Sequence, residues 1–171
     1  PLPVLIAETG GQNAMIVDSS ALPEQVTRDV LASAFQSAGQ RCSALRVLYL
    51  QDDIAEATLA MIRGGLDTLV MGDPEDPATD LGAVIDGDAR AALDNHLAAM
   101  RAAGKRVWQQ PRSTGEGCFV APAIVEIGSI AELTQEHFGP ILHVARFAAG
   151  ELDAVIDAIN ATGFGLTLGL H

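Results

Sequence analysis

Cys42 stands in the stretch SAGQRCSALRV (37–47), after a glycine, beside Arg41 and just ahead of an apolar run. The chain has two cysteines in all, so this thiol is either packing material or a nucleophile. A free thiol has a pKa of about 8.5 and reacts as thiolate only with help from a cation, backbone N–H donors or a helix end. Arg41 adjoins it, and Gly39-Gln40 interrupts the preceding helical pattern, leaving backbone donors to hold an oxyanion. The competing reading is a buried small hydrophobe, which is what most lone cysteines are. Cys118, in GEGCFVAP, has only Glu116 as a charged neighbour and reads as structural.

Glu8 is a second candidate, expected at the exit of a first strand and followed by Thr9, Gly10 and Gly11. A carboxylate at the C-terminal end of a parallel strand, where ligand crevices form, is a candidate base; an exposed loop acid is the alternative. The two glycines let a ligand or another backbone approach closely. A third candidate is TQEHFGPI (134–141), where Glu136 can accept two ribose hydroxyls and Phe138 can flank a flat ring or fill the core. His137 and His143 read as structural or surface groups, and His96 as a satisfied core residue. Gly163, Gly165 and Gly169 precede or lie in a strand and do not open a helix, so no phosphate loop follows.

The elements that must hold these groups alternate along the chain. Strands are expected at 3–8, 13–18, 44–51, 105–109, 119–127, 140–147 and from about Leu166 onward. A helix from Pro23, with Val26, Val30, Leu31, Ala34, Phe35 and Ala38 on one face, is expected to stop at Gly39. Asp52 or Asp53 is expected to cap a second helix with an apolar stripe of Ile54, Ala57, Met61, Ile62 and Leu66. MGDPEDPATDLG (71–82) reads as a surface loop. Ala89, Leu93, Leu97 and Met100 mark a third helix closed at Gly104, and Leu152, Val155, Ile156 and Ile159 a fourth. The alternation predicts an α/β fold, a largely parallel open sheet with helices on its faces.

Composition narrows the partners. Ten basic against 22 acidic residues give a net charge of −12, and Lys105 is the one lysine. Nucleic acid and anionic membranes, both bound through basic residues, are excluded as partners. No apolar run nears the roughly 18 residues of a membrane span, and no basic-then-apolar leader opens the chain. With no disulfide framework and no zinc spacing, a reducing, cytoplasmic setting without structural metal is expected. The chain opens and closes on apparent strands, which reads as a piece of something longer.

Together AETGGQNA, GQRCSA, QEHFGPILHV and GFGLTLGLH resemble the aldehyde dehydrogenase superfamily. The first is similar to its general-base motif and the second to its nucleophile motif, with Cys42 placed 34 positions after Glu8. GDPEDPATDLGAVID matches the usual loop before a long helix. Within the superfamily the chain is most similar to 1-pyrroline-5-carboxylate dehydrogenases of bifunctional proline-utilisation proteins. Gln12, where many members carry lysine, and Thr9, commonly leucine, depart from the general pattern and fit this branch.

The resemblance implies that Cys42 attacks an aldehyde carbon, that hydride passes to NAD⁺, and that Glu8 activates the water hydrolysing the resulting thioester. It places Glu136, Phe138, Thr9 and Gly10 at the cofactor and Ser43, more weakly, at the aldehyde. It also implies that residues 1–171 are a catalytic-domain fragment. The NAD-binding domain, the loop gripping the substrate and the oligomerisation segment would lie elsewhere. The full-length protein would be a homo-oligomer, with FAD in a separate proline dehydrogenase domain and any peripheral membrane association through other domains. A different aldehyde, a non-catalytic scaffold copy, and a thiol transferase or hydrolase remain as rivals; the last wants a histidine base that no motif near Cys42 supplies.

Overall fold

The computed structural model describes residues 3, 4, 10–111 and 117–171. Glu8, Thr9 and most of the expected opening strand lie outside them. In chain order the elements are β1 (Ala14–Val17), α1 (Pro23–Phe35), β2 (Val47–Gln51), α2 (Asp52–Thr68) and α3 (Gly87–Ala102). They continue with β3 (Val107–Gln109), β4 (Ala123–Glu126), β5 (Ile141–Phe147), α4 (Leu152–Asn160) and β6 (Leu168–Leu170). The six strands form one sheet in the order β3-β4-β5-β2-β1-β6. Every pairing is parallel except that of β3 with β4.

Side chains alternate across the pleat, so each central strand is apolar on both faces. Met15, Val17, Leu48, Leu50, Leu142 and Val144 pack with Val26 and Val30 of α1 and Leu59 and Ile62 of α2. Their neighbours Ile16, Val47, Tyr49, Ala145 and Phe147 pack with Leu93 and Leu97 of α3 and Val155 of α4. The sheet is thus covered on both sides, the architecture expected from the alternation. Each fully buried aliphatic side chain contributes about 1.5–3 kcal/mol of transfer free energy.

Several local expectations need correction. The first α-helix ends at Phe35, and residues 36–39 form a short 3₁₀ segment in which Ser37, Ala38 and Gly39 have φ of 56°, 52° and 65°. Ala38, expected on the helix face, is buried from this turn instead. Gln51, and neither aspartate, is the N-cap of α2; Asp52 and Asp53 fill its first turn without a side-chain cap bond. The buried stripe of α2 is Ala55, Thr58, Leu59, Ile62 and Leu66, whereas Ala57 and Met61 face solvent. Alanines at 55, 57 and 60 make the phase of this helix ambiguous in sequence, and packing against α1 settles it. In α4 only Val155 is fully buried, with Leu152 and Ile156 at 42% and 40% exposure. Among the described residues no helix is long and apolar enough to cross a membrane.

Candidate active site

The described site residues gather where chain enters the parallel strands. Gly10–Asn13 lead into β1, residues 36–46 into β2 and residues 134–140 into β5, and these three strands are neighbours in the sheet. These groups meet at the N-terminal ends of the strands, while Glu8, the residue expected at a strand exit, lies outside the described residues.

Cys42 and Ser43 are exposed on a tight turn closed by the Ala44 N–H donating to the Arg41 carbonyl at 3.0 Å. Asn13, 3% exposed, clamps this turn from beneath. Its Nδ2 donates to the Cys42 carbonyl at 2.7 Å and to the Ala44 carbonyl at 2.8 Å, while its own carbonyl accepts from the N–H groups of Arg46 and Val47. Among the described residues the Cys42 N–H donates to no acceptor. The turn thus holds an exposed cysteine on a fixed backbone, with a donor unused among the described residues. Ser43 and Arg41 edge a recess of about 330 Å³ that also takes in Asp29, Ser33 and Gln36.

Glu136 is held from two sides. Its Oε1 accepts from both Nε and Nη2 of Arg46 at 3.1 Å, and its Oε2 accepts from the Gly11 N–H at 3.1 Å. Gly10 makes room for this: a Cβ there would lie 2.6 Å from Oε2. Gln12, 5% exposed, anchors the same segment by donating to the carbonyls of Leu133 and Gln135. Arg46 is 1% exposed and its guanidinium lies 5.0 Å from the Phe138 ring centroid, within cation–π range. Burial lowers the Arg46 pKa, opposed by the Glu136 charge and hydrogen bond. Phe138 is 42% exposed, so it is not core. A partly open carboxylate beside an exposed aromatic face fits a ribose-and-ring ligand.

Beneath this segment three histidines meet. His96 stacks on His137 at 3.4 Å between ring centroids, and His96 Nε2 lies 2.8 Å from His143 Nε2. The Arg46 carbonyl can only accept, so His143 Nδ1, 3.1 Å away, donates to it; His143 Nε2 then accepts from His96. Burial holds all three below the usual imidazole range, His137 to about 4 and His143 to about 3. They are neutral at physiological pH. Among the described residues no group of three or more His, Cys, Asp or Glu side chains is disposed to hold a metal.

The segments that carry Cys42, Ser43, Glu136, Phe138 and Gly10 therefore adjoin one another, and Glu8 and Thr9 lie outside the described residues. Sequence reasoning passed over Asn13, Arg46 and the meeting of the histidines. Arg46 left one signal: an arginine inside the apolar run ALRVLYL demands a buried partner. Asn13, directly before a buried strand, left a fainter one.

Residues 2–171 match the family model described as "Aldehyde dehydrogenase family". The chain is 56% identical over 178 residues to "Bifunctional protein PutA" of Salmonella typhimurium, covering 100% of this chain and 13% of that protein. It is 30% identical to "1-pyrroline-5-carboxylate dehydrogenase" of Geobacillus kaustophilus over 95% of this chain and 32% of that one. Its fold is similar to the crystal structure of a bifunctional proline utilization A protein. There the TM-score is 0.94 at 53% identity, over 100% of this chain and 17% of that one.

Proposed function

Because this chain belongs to the aldehyde dehydrogenase family, we propose that it is the catalytic-domain part of an NAD⁺-dependent dehydrogenase. We propose that the enzyme oxidises L-glutamate γ-semialdehyde to L-glutamate in proline breakdown. The chain spans 13% of the bifunctional relative, so the remaining cofactor and substrate contacts belong to other parts of such an enzyme, and the isolated chain is expected to be inactive. The similarity to a bifunctional protein and to a 1-pyrroline-5-carboxylate dehydrogenase supports this substrate.

The residues divide the work as follows. Cys42 sulfur attacks the aldehyde carbon, and the Cys42 N–H stabilises the resulting oxyanion. Sulfur suits the role because its thiohemiacetal gives up hydride to become a thioester that water hydrolyses readily. Asn13 keeps the turn rigid, which matters because small misplacements of a nucleophile are costly in rate. Glu8 removes a proton from the attacking water, a role typically worth about 10²–10⁴ in rate. Glu136 and Phe138, with Thr9 and Gly10, would hold the nicotinamide end of the cofactor, and Ser43 faces the aldehyde. Bound NAD⁺ supplies the acceptor for the hydride, so that R–CHO, water and NAD⁺ give R–COO⁻, NADH and two protons.

The observation that carries this reading is an exposed thiol on a clamped turn, hydrogen-bonded through Asn13 to the same segment whose Gly11 holds Glu136. In the full-length enzyme Cys42→Ala is expected to remove aldehyde-dependent NADH formation while leaving any proline dehydrogenase activity intact. Near-normal turnover would end the assignment.

A further inference from the structure

We propose that Arg46 is the positioning residue that locks Glu136 and the Cys42 turn into one unit, leaving the carboxylate a single acceptor position for its ligand. This rests on the reading of Glu136 as a cofactor contact.

An arginine has five N–H donors. All five are used here. Nε and one N–H of Nη2 go to Glu136 Oε1, the other of Nη2 goes to the Arg41 carbonyl at 3.2 Å, and Nη1 serves the carbonyls of Gly39 at 2.7 Å and Gly139 at 3.3 Å. No donor remains for a ligand, so Arg46 acts only through its neighbours. Those neighbours are the residue before Cys42, the end of the left-handed turn, and both ends of the Glu136–Gly139 segment.

Acceptor geometry completes the argument. A carboxylate oxygen has about two lone-pair positions. Both on Oε1 are taken by Arg46, and one on Oε2 is taken by Gly11. Among the described residues one position on Oε2 is left, and the fork of the guanidinium fixes where it points. Lysine cannot reproduce this, because an ammonium offers no planar pair of donors. The sequence alone allowed Glu136 two ligand hydroxyls; the geometry leaves a strong bond to one.

The test is a cycle of Glu136→Gln, Arg46→Lys and the double substitution in the full-length enzyme, reading the NAD⁺ KM and kcat separately. Each single change is expected to raise the NAD⁺ KM about fivefold or more, and the double to exceed the larger single by no more than about twofold, the non-additivity of groups acting as one. A purely structural arginine would instead give multiplying effects, and that result overturns the inference. So does an Arg46→Lys enzyme with unchanged KM while Glu136→Gln is impaired, an outcome that leaves the cofactor reading standing. An unimpaired Glu136→Gln enzyme overturns both. Should Arg46→Lys fail to fold, the link is read from its other end. Glu136→Gln, without cofactor, is then expected to change the rate of Cys42 alkylation by iodoacetamide about threefold or more, and an unchanged rate overturns the inference.

Discussion

Two arginine–carboxylate contacts of equal length sit at opposite ends of the sheet. At the strand entries Arg46 meets Glu136 at 3.1 Å, with side chains 1% and 13% exposed. At the exits Glu126, the last residue of β4, meets Arg63 at 3.1 Å, Arg106 at 2.5 Å and Arg146 at 3.4 Å, and these arginines are 29%, 63% and 28% exposed. Distance therefore does not separate the two; surroundings do. The two carboxylates are equally covered, Glu126 at 14% and Glu136 at 13%, but the exit arginines reach solvent, share one acceptor among several cations and are open to screening by salt. At the entries the arginine itself is buried, and its remaining donors are spent on carbonyls that define loop shape. One arrangement gathers solvent-reaching arginines on a single carboxylate, and the other ties loop backbones together through a buried one.

The sharpest way to break this contrast is to remove each arginine in turn. Arg46→Met strands a mostly buried carboxylate and three carbonyls, and should cost about 3–5 kcal/mol in denaturant unfolding of the intact enzyme. A loss under about 1 kcal/mol would put Arg46 in the same class as the exit cluster.

Acid offers an intermediate effect. The three histidines beneath the Glu136 segment have folded-state pKa values below the unfolded value, so the unfolded chain binds more protons as pH falls. Their contribution is complete above about pH 6.5 and is lost as pH drops toward the value of about 4 for His137 and then about 3 for His143. The slope is at most about 1.4 kcal/mol per pH unit for each histidine. At the exits, ion pairing with Arg146 lowers the Glu56 pKa below 4.5, so losses there begin only in more acid solution. Thermal midpoints measured between pH 7 and 5 should fall, and should fall less in His143→Asn. Equal slopes in the two proteins would remove the histidines from the account.

The smallest effect belongs to Arg106→Ala, which removes the most exposed partner of Glu126. Its cost should stay below about 1 kcal/mol and shrink further at high salt. A larger, salt-insensitive loss would erase the distinction between the two ends.

Much of the architecture was legible because strands buried on both faces read as continuous apolar runs, and because Pro23 and Gly104 punctuate their helices as their backbone preferences require. The thiol and Glu136 were legible as motifs. Arg46 and Asn13 were not, since their meaning lies in partners reached only after folding: Glu136 is 90 positions from Arg46. The phase of α2 failed for a related reason, as alanine tolerates either side of a helix. The placement of the site at strand entries was hidden too. Sequence order fixes which loops exist, whereas only the sheet order brings β5, β2 and β1 side by side.

The left-handed turn before Cys42 ends at Gly39, and a Cβ there would fall on the Gly139 carbonyl, well inside van der Waals contact. Main chain thus touches main chain between the Cys42 segment and the Glu136 segment, with no side chain as cushion. A single methyl at that point is a wedge. It would pry the turn that carries Cys42 from the segment that carries Glu136 while leaving every polar group chemically intact.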